Sequence, residues 1–385
     1  MSISVNQEKM LLNEYQSLIE EIKSLAKIPS PTFDEIEKSK YLKKRYKSIG
    51  YSNVIIDELN NVILRISSSN TSKAQLAIFS HIDTVFPSNT KLKVVETDNS
   101  IRCPGIGDNS TSVALLLIIT KIWKKINYTP PFDLIIVGNS REEGLGNLEG
   151  IRYFMDHYGK REDVDLKAIL VLDGTYNMLC NKGIGSIRLK VSLKGEGGHS
   201  WGAFGNSSAI HTLGACIERI SKIKVPVVPR TTFNVGLIEG GTSINTIAEE
   251  AKMWIDLRSV EQQTLDNLLE EVKKTISDTS NEYRTIETIE IVGIRPLGSI
   301  ADEHPLVLLA SQSATYFEIN NRIVASSTDA NEPLSRNIPA IAIGAYDGIN
   351  AHSLNESINP NSLKKGGPYF LLVLFGVIEW IKNDN

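Results

Sequence analysis

Residues 74–83, AQLAIFSHID, join a short apolar run to a histidine and an aspartate. A continuous apolar run bounded by polar residues is typical of a strand buried on both faces of a parallel sheet. Three further runs have the same form and also precede polar residues: 132–138, 168–172 and 340–344. Open α/β sheets bind ligands beyond the carboxyl ends of their strands. The pattern therefore predicts an α/β fold in which polar residues from four strand ends converge in one crevice.

The composition is that of a globular protein. The chain has 385 residues, of which 41% are hydrophobic and 22% are charged, and its formal net charge is −4. A chain of this length can build two domains with sizeable cores. The nearly balanced charge gives no reason to expect nucleic acid or an anionic membrane as a partner.

The two ends of the chain and its cysteines bear on the expected compartment. The N-terminal stretch 1–22 is charged and amphipathic and lacks the apolar core of a secretory signal. The apolar run 369–381 is too short to span a bilayer and carries a glutamate, so we expect a core helix there. Cys103, Cys180 and Cys216 are scattered and odd in number, which suits a reducing compartment without a disulfide framework. We therefore expect a cytoplasmic protein.

The pattern changes at about residue 185. From there apolar and polar residues alternate, as in a half-exposed antiparallel strand. Strands and helices are then expected in the order β-α-β-β-α-β, the ferredoxin-like pattern. This region lies between two of the polar clusters and so must interrupt the first domain. We expect a mostly parallel α/β domain formed by 1–184 and 296–385, with an inserted α+β domain at 185–295.

Five side chains in the polar clusters form a candidate ligand set: His81, Asp108, Glu143, Asp173 and His352. Two imidazoles and three carboxylates are a mixed nitrogen and oxygen set suited to zinc or a similar divalent ion. Asp108 stands in a glycine-flanked turn, where a short carboxylate could bridge two ions. Each residue alone could instead be a solvated loop, turn or cap residue. Their shared position at strand ends is what predicts the site.

Neighbouring residues could support that site. His81 and Asp83 are two apart on an extended segment, so both point to one face and Asp83 could hold the second ring nitrogen of His81. Glu142 and Glu143 are adjacent and point different ways, which suits one base and one ligand. Buried carboxylates there are costly unless cations neutralise them, with a solvated acidic turn as the alternative. Cys103 could also be a ligand, but we favour the role of a small buried hydrophobic residue.

The other histidines carry less information. His157 and His211 lie on expected helices, and His304 precedes a proline, so we expect structural or surface roles for them. His199 differs because it stands in the glycine-rich stretch 195–200. From the sequence alone it could be either a surface histidine or a functional one. The glycine-rich stretches do not match GxxxxGK[ST] or an ordered GxGxxG, so no nucleotide site is expected.

With these residues in place, the chain resembles the M20 family of metallopeptidases, close to its peptidase T-like members, over nearly its whole length. The motifs that carry the resemblance are HIDTVFP (81–87), GIGDNS (105–110), SREEGLGNLEG (140–150), VLDGT (171–175), GEGGHS (195–200), GGTSINTI (240–247), SSTDAN (326–331) and AHSLNES (351–357). The resemblance implies a zinc-exopeptidase-like sheet flanked by helices, with an inserted lid domain that also forms a dimer interface. The stretch 102–107 (RCPGIG) departs from a family pattern such as Gly-Arg-Gly before the bridging aspartate, so we expect one pocket wall to differ in shape from the family's.

The resemblance also assigns roles to the ligand set. It implies that His81, Asp108 and Asp173 bind one ion, that Asp108, Glu143 and His352 bind the other, and that Asp108 bridges the two. The expected ions are two divalent metals per chain, Zn²⁺ first, with Co²⁺ and Mn²⁺ as alternatives. A cis peptide bond is implied directly after the bridging aspartate.

Further roles follow from the same resemblance. Glu142 is expected to act as general base and then as general acid, while Asp83 is expected to orient His81. In the lid, His199 is expected to stabilise the tetrahedral intermediate, often from the partner subunit. Asn245 and Arg258 match positions that bind polar groups of the substrate.

The expected activity is that of an aminopeptidase on di- and tripeptides. In the resembled family, an aspartate rather than a glutamate at position 173 is associated with aminopeptidases. An N-acyl amino acid deacylase or a carboxypeptidase of the same fold is the alternative. A non-catalytic dimeric scaffold or a two-metal phosphoesterase is disfavoured, because Glu142 and every ligand are present. We expect a homodimer formed through the lid.

Overall fold

The computed structural model describes residues 2–69 and 73–384, with side chains for 6–69 and 73–383. Within the described residues the chain forms two compact units. One contains the chain up to Gly183 and again from Gly298 onwards, and the other is Ile184–Leu297. The second unit is thus inserted in the sequence of the first.

The helices and strands are as follows in chain order. The α-helices are α1 Ser2–Asn13, α2 Tyr15–Ala26, α3 Ile36–Ile49, α4 Ser112–Lys125, α5 Glu149–His157, α6 Ala209–Ile220, α7 Gln262–Glu282, α8 Pro305–Tyr316, α9 Asn331–Ser335 and α10 Leu363–Asp384. The first eight strands are β1 Val54–Ile56, β2 Val62–Ile66, β3 Ala74–His81, β4 Val95–Thr97, β5 Ser100–Arg102, β6 Asp133–Asn139, β7 Asp165–Leu172 and β8 Met178–Gly183. The next six are β9 Gly185–Lys194, β10 Gly198–His199, β11 Thr231–Gly240, β12 Thr246–Ile247, β13 Glu250–Ser259 and β14 Ile286–Arg295. The last five are β15 Gly298–Ser299, β16 Arg322–Ser326, β17 Ala340–Ile343, β18 Asp347–Ile349 and β19 Ser357–Asn359.

A large mixed sheet forms the centre of the first unit. Its strand order is β1-β2-β6-β3-β7-β17-β8-β15, and β16 pairs with β8. The four middle strands, β6, β3, β7 and β17, run parallel to one another. These are the four strands predicted from apolar runs. Every residue of β3, β6 and β17 is buried, as expected for strands covered on both faces. The prediction of a mostly parallel α/β sheet is confirmed.

Helices pack against this sheet through long apolar faces. Most residues of α4 are buried, among them Leu115 and Ile119. The apolar run near the C-terminus lies within α10, where Phe370 and Val377 are fully buried. Among the helices in the described part of the chain, none is long and apolar enough to cross a membrane.

Two helix boundaries differ from the sequence prediction. The helical periodicity of residues 7–27 predicts one helix, but Glu14, whose φ is −90° and ψ is 8°, separates α1 from α2. The apolar pattern of residues 110–126 predicts a helix that starts at Ser110, whereas α4 begins at Ser112. Residues 106–111 form a π-type turn in which the backbone at two positions is not helical. That turn carries part of the candidate site.

The second unit is a four-stranded antiparallel sheet with two helices. The strand order is β11-β13-β9-β14, and all neighbours are antiparallel. Together with the chain order β-α-β-β-α-β, this is a ferredoxin-like arrangement. Alternate residues of β9 are buried against α6 and α7, among them Leu189 and Val191. A separate two-stranded pair, β10 with β12, lies next to the start of β13 at Glu250.

Candidate active site

Three of the five candidate ligands stand where strands of the first unit end, and the other two lie in connecting segments. His81 is the last residue of β3, Glu143 follows β6, and Asp173 follows β7. Asp108 lies in the π-type turn before α4, and His352 lies in the loop between β18 and β19. Because the middle strands are parallel and in register, their carboxyl ends meet at one edge of the sheet.

The first group of candidate ligands contains His81, Asp108 and Asp173. The distance from His81 Nε2 to Asp108 Oδ1 is 2.9 Å, and that to Asp173 Oδ1 is 3.7 Å. Burial lowers the pKa of His81, but hydrogen bonds to these carboxylates outweigh it and raise that pKa well above its usual value. A positive charge is therefore stable at this point of the structure.

The second group contains Asp108, Glu143 and His352. His352 Nε2 lies 2.9 Å from Asp108 Oδ2 and 2.8 Å from Glu143 Oε1. Hydrogen bonds to these two carboxylates raise the pKa of His352 to about 11. Asp108 is thus common to both groups and presents one oxygen to each.

Asp108 is held as an anion although it lies deep in the unit. Burial alone would raise its pKa, but hydrogen bonds from His352 and His81 keep that pKa below the usual aspartate range. Imidazole nitrogens and carboxylate oxygens that converge in two groups of three are the ligand chemistry of divalent ions such as zinc. The residues present therefore fit a pair of such ions that share Asp108.

Asp83 has a wider set of contacts than the sequence suggested. It is fully buried, and its Oδ1 lies 3.5 Å from His81 Nδ1. The closer acceptor for that ring nitrogen is the main-chain oxygen of Asp83, at 3.1 Å. The carboxylate accepts the main-chain N–H of Glu142 at 3.0 Å and that of Glu143 at 2.9 Å, while Thr32 Oγ1 donates to it at 2.9 Å. Asp83 therefore fixes the backbone of the two glutamates as well as lying beside His81.

Glu142 lies inside this cluster. Its side chain is buried, and one of its oxygens lies within 4.8 Å of ligand atoms of His81 and Glu143. A carboxylate at this position is close enough to the ligands to exchange a proton with a water molecule bound among them. Cys103, by contrast, is fully buried, and its Sγ contacts the main-chain oxygen of Ala26 at 3.6 Å.

Two buried acids of this unit were not assigned a role from the sequence. Glu356 accepts three main-chain N–H groups around Asp108, and burial raises its pKa to about 7. Asp329 is fully buried and accepts a hydrogen bond from Asn139 Nδ2 at 2.7 Å; burial raises its pKa to about 7 as well. Asp329 lies in the motif SSTDAN (326–331) and Glu356 in the motif AHSLNES (351–357). The motifs could be recognised in the sequence, but the hydrogen bonds of these two acids could not.

The turn itself is tied to two strands by Asn109. The peptide bond between Asp108 and Asn109 is cis. Asn109 Nδ2 donates to Ser80 Oγ at 3.1 Å and to the main-chain oxygen of Leu172 at 3.0 Å. Asn109 thus connects the turn to the ends of β3 and β7.

The remaining predicted residues belong to the second unit. His199 is exposed in β10, and its Nδ1 accepts the main-chain N–H groups of Trp201 and Gly202 at 3.2 and 3.3 Å. Asn245 stands next to the paired strand β12, and its main-chain oxygen accepts the N–H of Ser200 at 3.0 Å. The structure therefore brings His199 and Asn245 together.

Arg258 lies elsewhere in that unit. Its Nε donates to Asp256 Oδ2 at 2.6 Å, near the end of β13. The β10–β12 pair adjoins the opposite end of β13, at Glu250. Eight residues of extended strand correspond to roughly 26 Å. Arg258 is thus well separated from His199 within one chain.

Family models match both parts of the chain. The model for Peptidase family M28 matches residues 61–179, and the M20 model for the Peptidase dimerisation domain matches residues 181–284. The first match covers the region of β3, Asp108 and the two glutamates, and the second covers most of the inserted unit.

Several curated proteins are similar in sequence. The uncharacterized protein YqjE of Bacillus subtilis is 24% identical over 375 residues, which is 92% of this chain and 96% of that protein. The succinyl-diaminopimelate desuccinylase of Corynebacterium glutamicum is 25% identical over 259 residues, which is 66% of this chain and 69% of that protein.

Many solved structures share the fold. A tripeptidase from Staphylococcus aureus superposes with a TM-score of 0.78 at 22% identity, covering 95% of this chain and 99% of that one. The aminopeptidase PepT from Bacillus cereus gives a TM-score of 0.74 at 21% identity, covering 94% and 98%. The fold, the two ligand groups and the matched models together define a metal-dependent hydrolase. The match to the dimerisation domain and the shared fold support a similarity to the M20 family of metallopeptidases.

Proposed function

We propose that this protein is a two-metal aminopeptidase that hydrolyses di- and tripeptides. The observation that carries the proposal is the sharing of Asp108 between two groups of ligands, beside the buried carboxylate of Glu142. In this proposal His81 and Asp173 complete one metal site and Glu143 and His352 complete the other. Zn²⁺ is the proposed ion, with Co²⁺ and Mn²⁺ as alternatives.

A pair of divalent ions in such a site supplies an activated water nucleophile and polarises the carbonyl group to be attacked. Glu142 takes a proton from that water and then delivers it to the nitrogen of the leaving amine. Asp83 holds the main-chain N–H groups of Glu142 and Glu143, so it fixes the base relative to the ligand. The net reaction is the addition of water across one amide bond.

The inserted unit supplies the proposed oxyanion contact. His199 Nδ1 accepts two main-chain N–H groups, so the ring proton is held at Nε2, which can donate to a developing oxyanion. Asn245 lies beside His199 and is proposed to bind a polar group of the peptide. In this proposal the first unit is the catalytic domain and the second unit is its lid.

Arg258 cannot reach the same small peptide as His199 from one chain. A tripeptide spans at most about 11 Å, whereas Arg258 lies roughly 26 Å along β13 from Glu250, the end of the strand that adjoins the β10–β12 pair of His199. If both contact one substrate, they must come from different subunits. We therefore propose a homodimer with composite sites, in keeping with the match to a peptidase dimerisation domain.

The choice of an aminopeptidase rests on two supports. The chain is similar in fold to a tripeptidase and to an aminopeptidase. It also has an aspartate at position 173, as aminopeptidases of the resembled family do. The similarity in sequence to a desuccinylase favours an N-acyl amino acid deacylase as the second candidate, because that reaction also hydrolyses an amide.

A substrate panel separates these candidates. Zinc- or cobalt-loaded protein is incubated with free tripeptides, C-terminally amidated tripeptides, N-acetylated tripeptides and N-acyl amino acids, and the products are identified by mass spectrometry. We expect release of the N-terminal residue from the first two classes, with Glu142→Gln as the inactive control. Release of the C-terminal residue, or cleavage confined to N-acyl compounds, would contradict aminopeptidase action. No cleavage of any class by metal-loaded protein would contradict the proposal as a whole.

A further inference from the structure

Glu356 is a buried carboxylate at the centre of the turn that carries Asp108. It is 1% exposed. Its Oε1 accepts the main-chain N–H of Gly107 at 2.7 Å and that of Asp108 at 2.8 Å, and its Oε2 accepts that of Gly105 at 2.9 Å. Three N–H groups of one short segment thus converge on one side chain, as they do when a turn encloses an anion.

The backbone of the turn is shaped around this carboxylate. Gly105 has a φ of +72°, a conformation that glycine adopts without strain. A Cβ on Gly107 would lie 3.1 Å from Glu356 Oε1 and 2.7 Å from the hydroxyl oxygen of Tyr346. The close approach of the chain to Glu356 therefore needs a glycine at position 107.

The same residue is also tied to the loop of His352. The main-chain N–H of Glu356 donates to the oxygen of Ser353 at 3.0 Å, one residue beyond His352. Its main-chain oxygen accepts the N–H of Cys103 at 3.1 Å, just before the Asp108 turn. Residues separated by almost 250 positions in the sequence are thus held together through one glutamate.

A carboxylate suits this position better than a neutral side chain. Both oxygens of a carboxylate are acceptors, so it can satisfy all three N–H groups. A glutamine would place an NH₂ group against at least one N–H donor, and a buried donor without an acceptor is costly. The cost would fall on the turn 105–108, whose Asp108 presents its two oxygens to His81 and His352.

We propose that Glu356 is a positioning residue that aligns Asp108 with His352, so that the group formed by Asp108, Glu143 and His352 binds its divalent ion tightly. The inference rests on the proposed two-metal function. In it Glu356 touches neither ion nor substrate and acts only through the backbone of the Asp108 turn. Replacing it should therefore change metal binding selectively and not only the stability of the unit.

The test compares Glu356→Gln with a matched buried glutamate. Glu21→Gln is the control, because Glu21 is also buried and accepts hydrogen bonds from Tyr41 and Arg45 on α3, away from the ligand groups. Metal-free protein is titrated with Co²⁺ while the visible absorption spectrum is recorded, and dissociation constants are obtained by competition with a chromogenic chelator. Thermal unfolding of each variant is followed with and without metal.

For Glu356→Gln we expect a folded protein in which one ion binds roughly 10- to 100-fold more weakly, as found when residues that support metal ligands are replaced. The absorption of that Co²⁺ equivalent should change, and Glu356→Asp should restore part of the affinity. Glu21→Gln should lower the unfolding temperature without changing either dissociation constant.

Other outcomes separate this inference from the proposed function. If the unmodified protein binds no pair of divalent ions, the proposed function fails. If it binds two and Glu356→Gln binds both as tightly, only the positioning role of Glu356 is overturned. Should Glu356→Gln not fold, Glu356→Asp and Gly107→Ala provide the same comparison. Unchanged dissociation constants in both would overturn the inference.

Discussion

Glu142 and Glu143 are neighbours with different surroundings. Their main-chain N–H groups are held by separate oxygens of Asp83. Glu143 reaches His352 at 2.8 Å and so belongs to a ligand group with Asp108. Glu142 is buried beside those ligands and is the proposed base. Because one backbone anchor serves both residues, replacing either side chain should leave the position of the other nearly unchanged.

We therefore expect the two alanine variants to separate catalysis from metal binding. Glu142→Ala should keep both ions and lose turnover by about 10²- to 10⁴-fold, the usual contribution of a general acid–base group. Glu143→Ala should instead lose one ion, because it removes a ligand. Metal content by elemental analysis and kcat on a tripeptide measure the two effects, and each variant is the control for the other. The reverse pattern would exchange the two roles.

Three of the clustered side chains, His81, Glu143 and Asp173, could be predicted because each stands at or just after the end of a buried apolar strand. The apolar run of β3, for example, places His81 at a strand end whatever the rest of the chain does. The contacts of Glu356, Asp329 and Asn109 could not be predicted in this way. They join segments that are far apart in sequence, and Glu356 lies 248 positions from Asp108. Only the folded chain brings such partners within hydrogen-bond distance.

Among the helices and strands, too, some features could be predicted from the sequence and others could not. Buried parallel strands and the alternating strand β9 were predicted well, because burial on one or two faces determines their composition. The start of α4 was predicted two residues too early. Polar residues 108–111 look like a helix start, but the backbone at Asp108 and Asn109 is non-helical. Here the geometry of the candidate site overrides local helix propensity.

Strand β11 has a feature that bears on assembly. It is an edge strand ten residues long, and two adjacent apolar side chains on it, Leu237 and Ile238, are 51% and 57% exposed. A long edge with exposed apolar side chains readily pairs with another chain unless it is blocked. The strand at the other edge of this sheet, β14, begins at Ile286, beyond the region 181–284 that matches the dimerisation domain. Of the two edge strands, β11 is therefore the one that lies within the matched region.

We expect β11 to form part of the proposed dimer interface. A lysine at Leu237 or Ile238 would put a charge in an apolar contact, so Leu237→Lys or Ile238→Lys should shift the protein from dimer to monomer in sedimentation velocity. Ile286→Lys on β14 is the matched control, since Ile286 is also exposed on an edge strand. A dimer that persists in the β11 variants and dissociates in the β14 variant would place the interface at the other edge.

The residues proposed for catalysis are divided between the two units of the chain. All proposed metal ligands and Glu142 belong to the first unit, whereas His199 belongs to the second. An oxyanion contact from His199 therefore requires the units of one chain, or of two, to meet around the substrate. We expect His199→Ala to lower kcat by about 10²- to 10³-fold, as the loss of one oxyanion donor does. Metal content should stay unchanged, because His199 is not a ligand.

If the contact comes from the partner subunit, two inactive variants should complement each other. In a dimer of one His199→Ala chain and one Glu142→Ala chain, one composite site receives both mutations and the other receives neither. With free exchange of subunits, half of the dimers are mixed, so activity per chain should return to about a quarter of that of the unmodified protein. Each variant mixed with itself is the control. A mixture that stays inactive although differently tagged chains of the two variants co-purify as mixed dimers would mean that His199 serves its own chain. An unchanged kcat in His199→Ala alone would remove its catalytic role altogether.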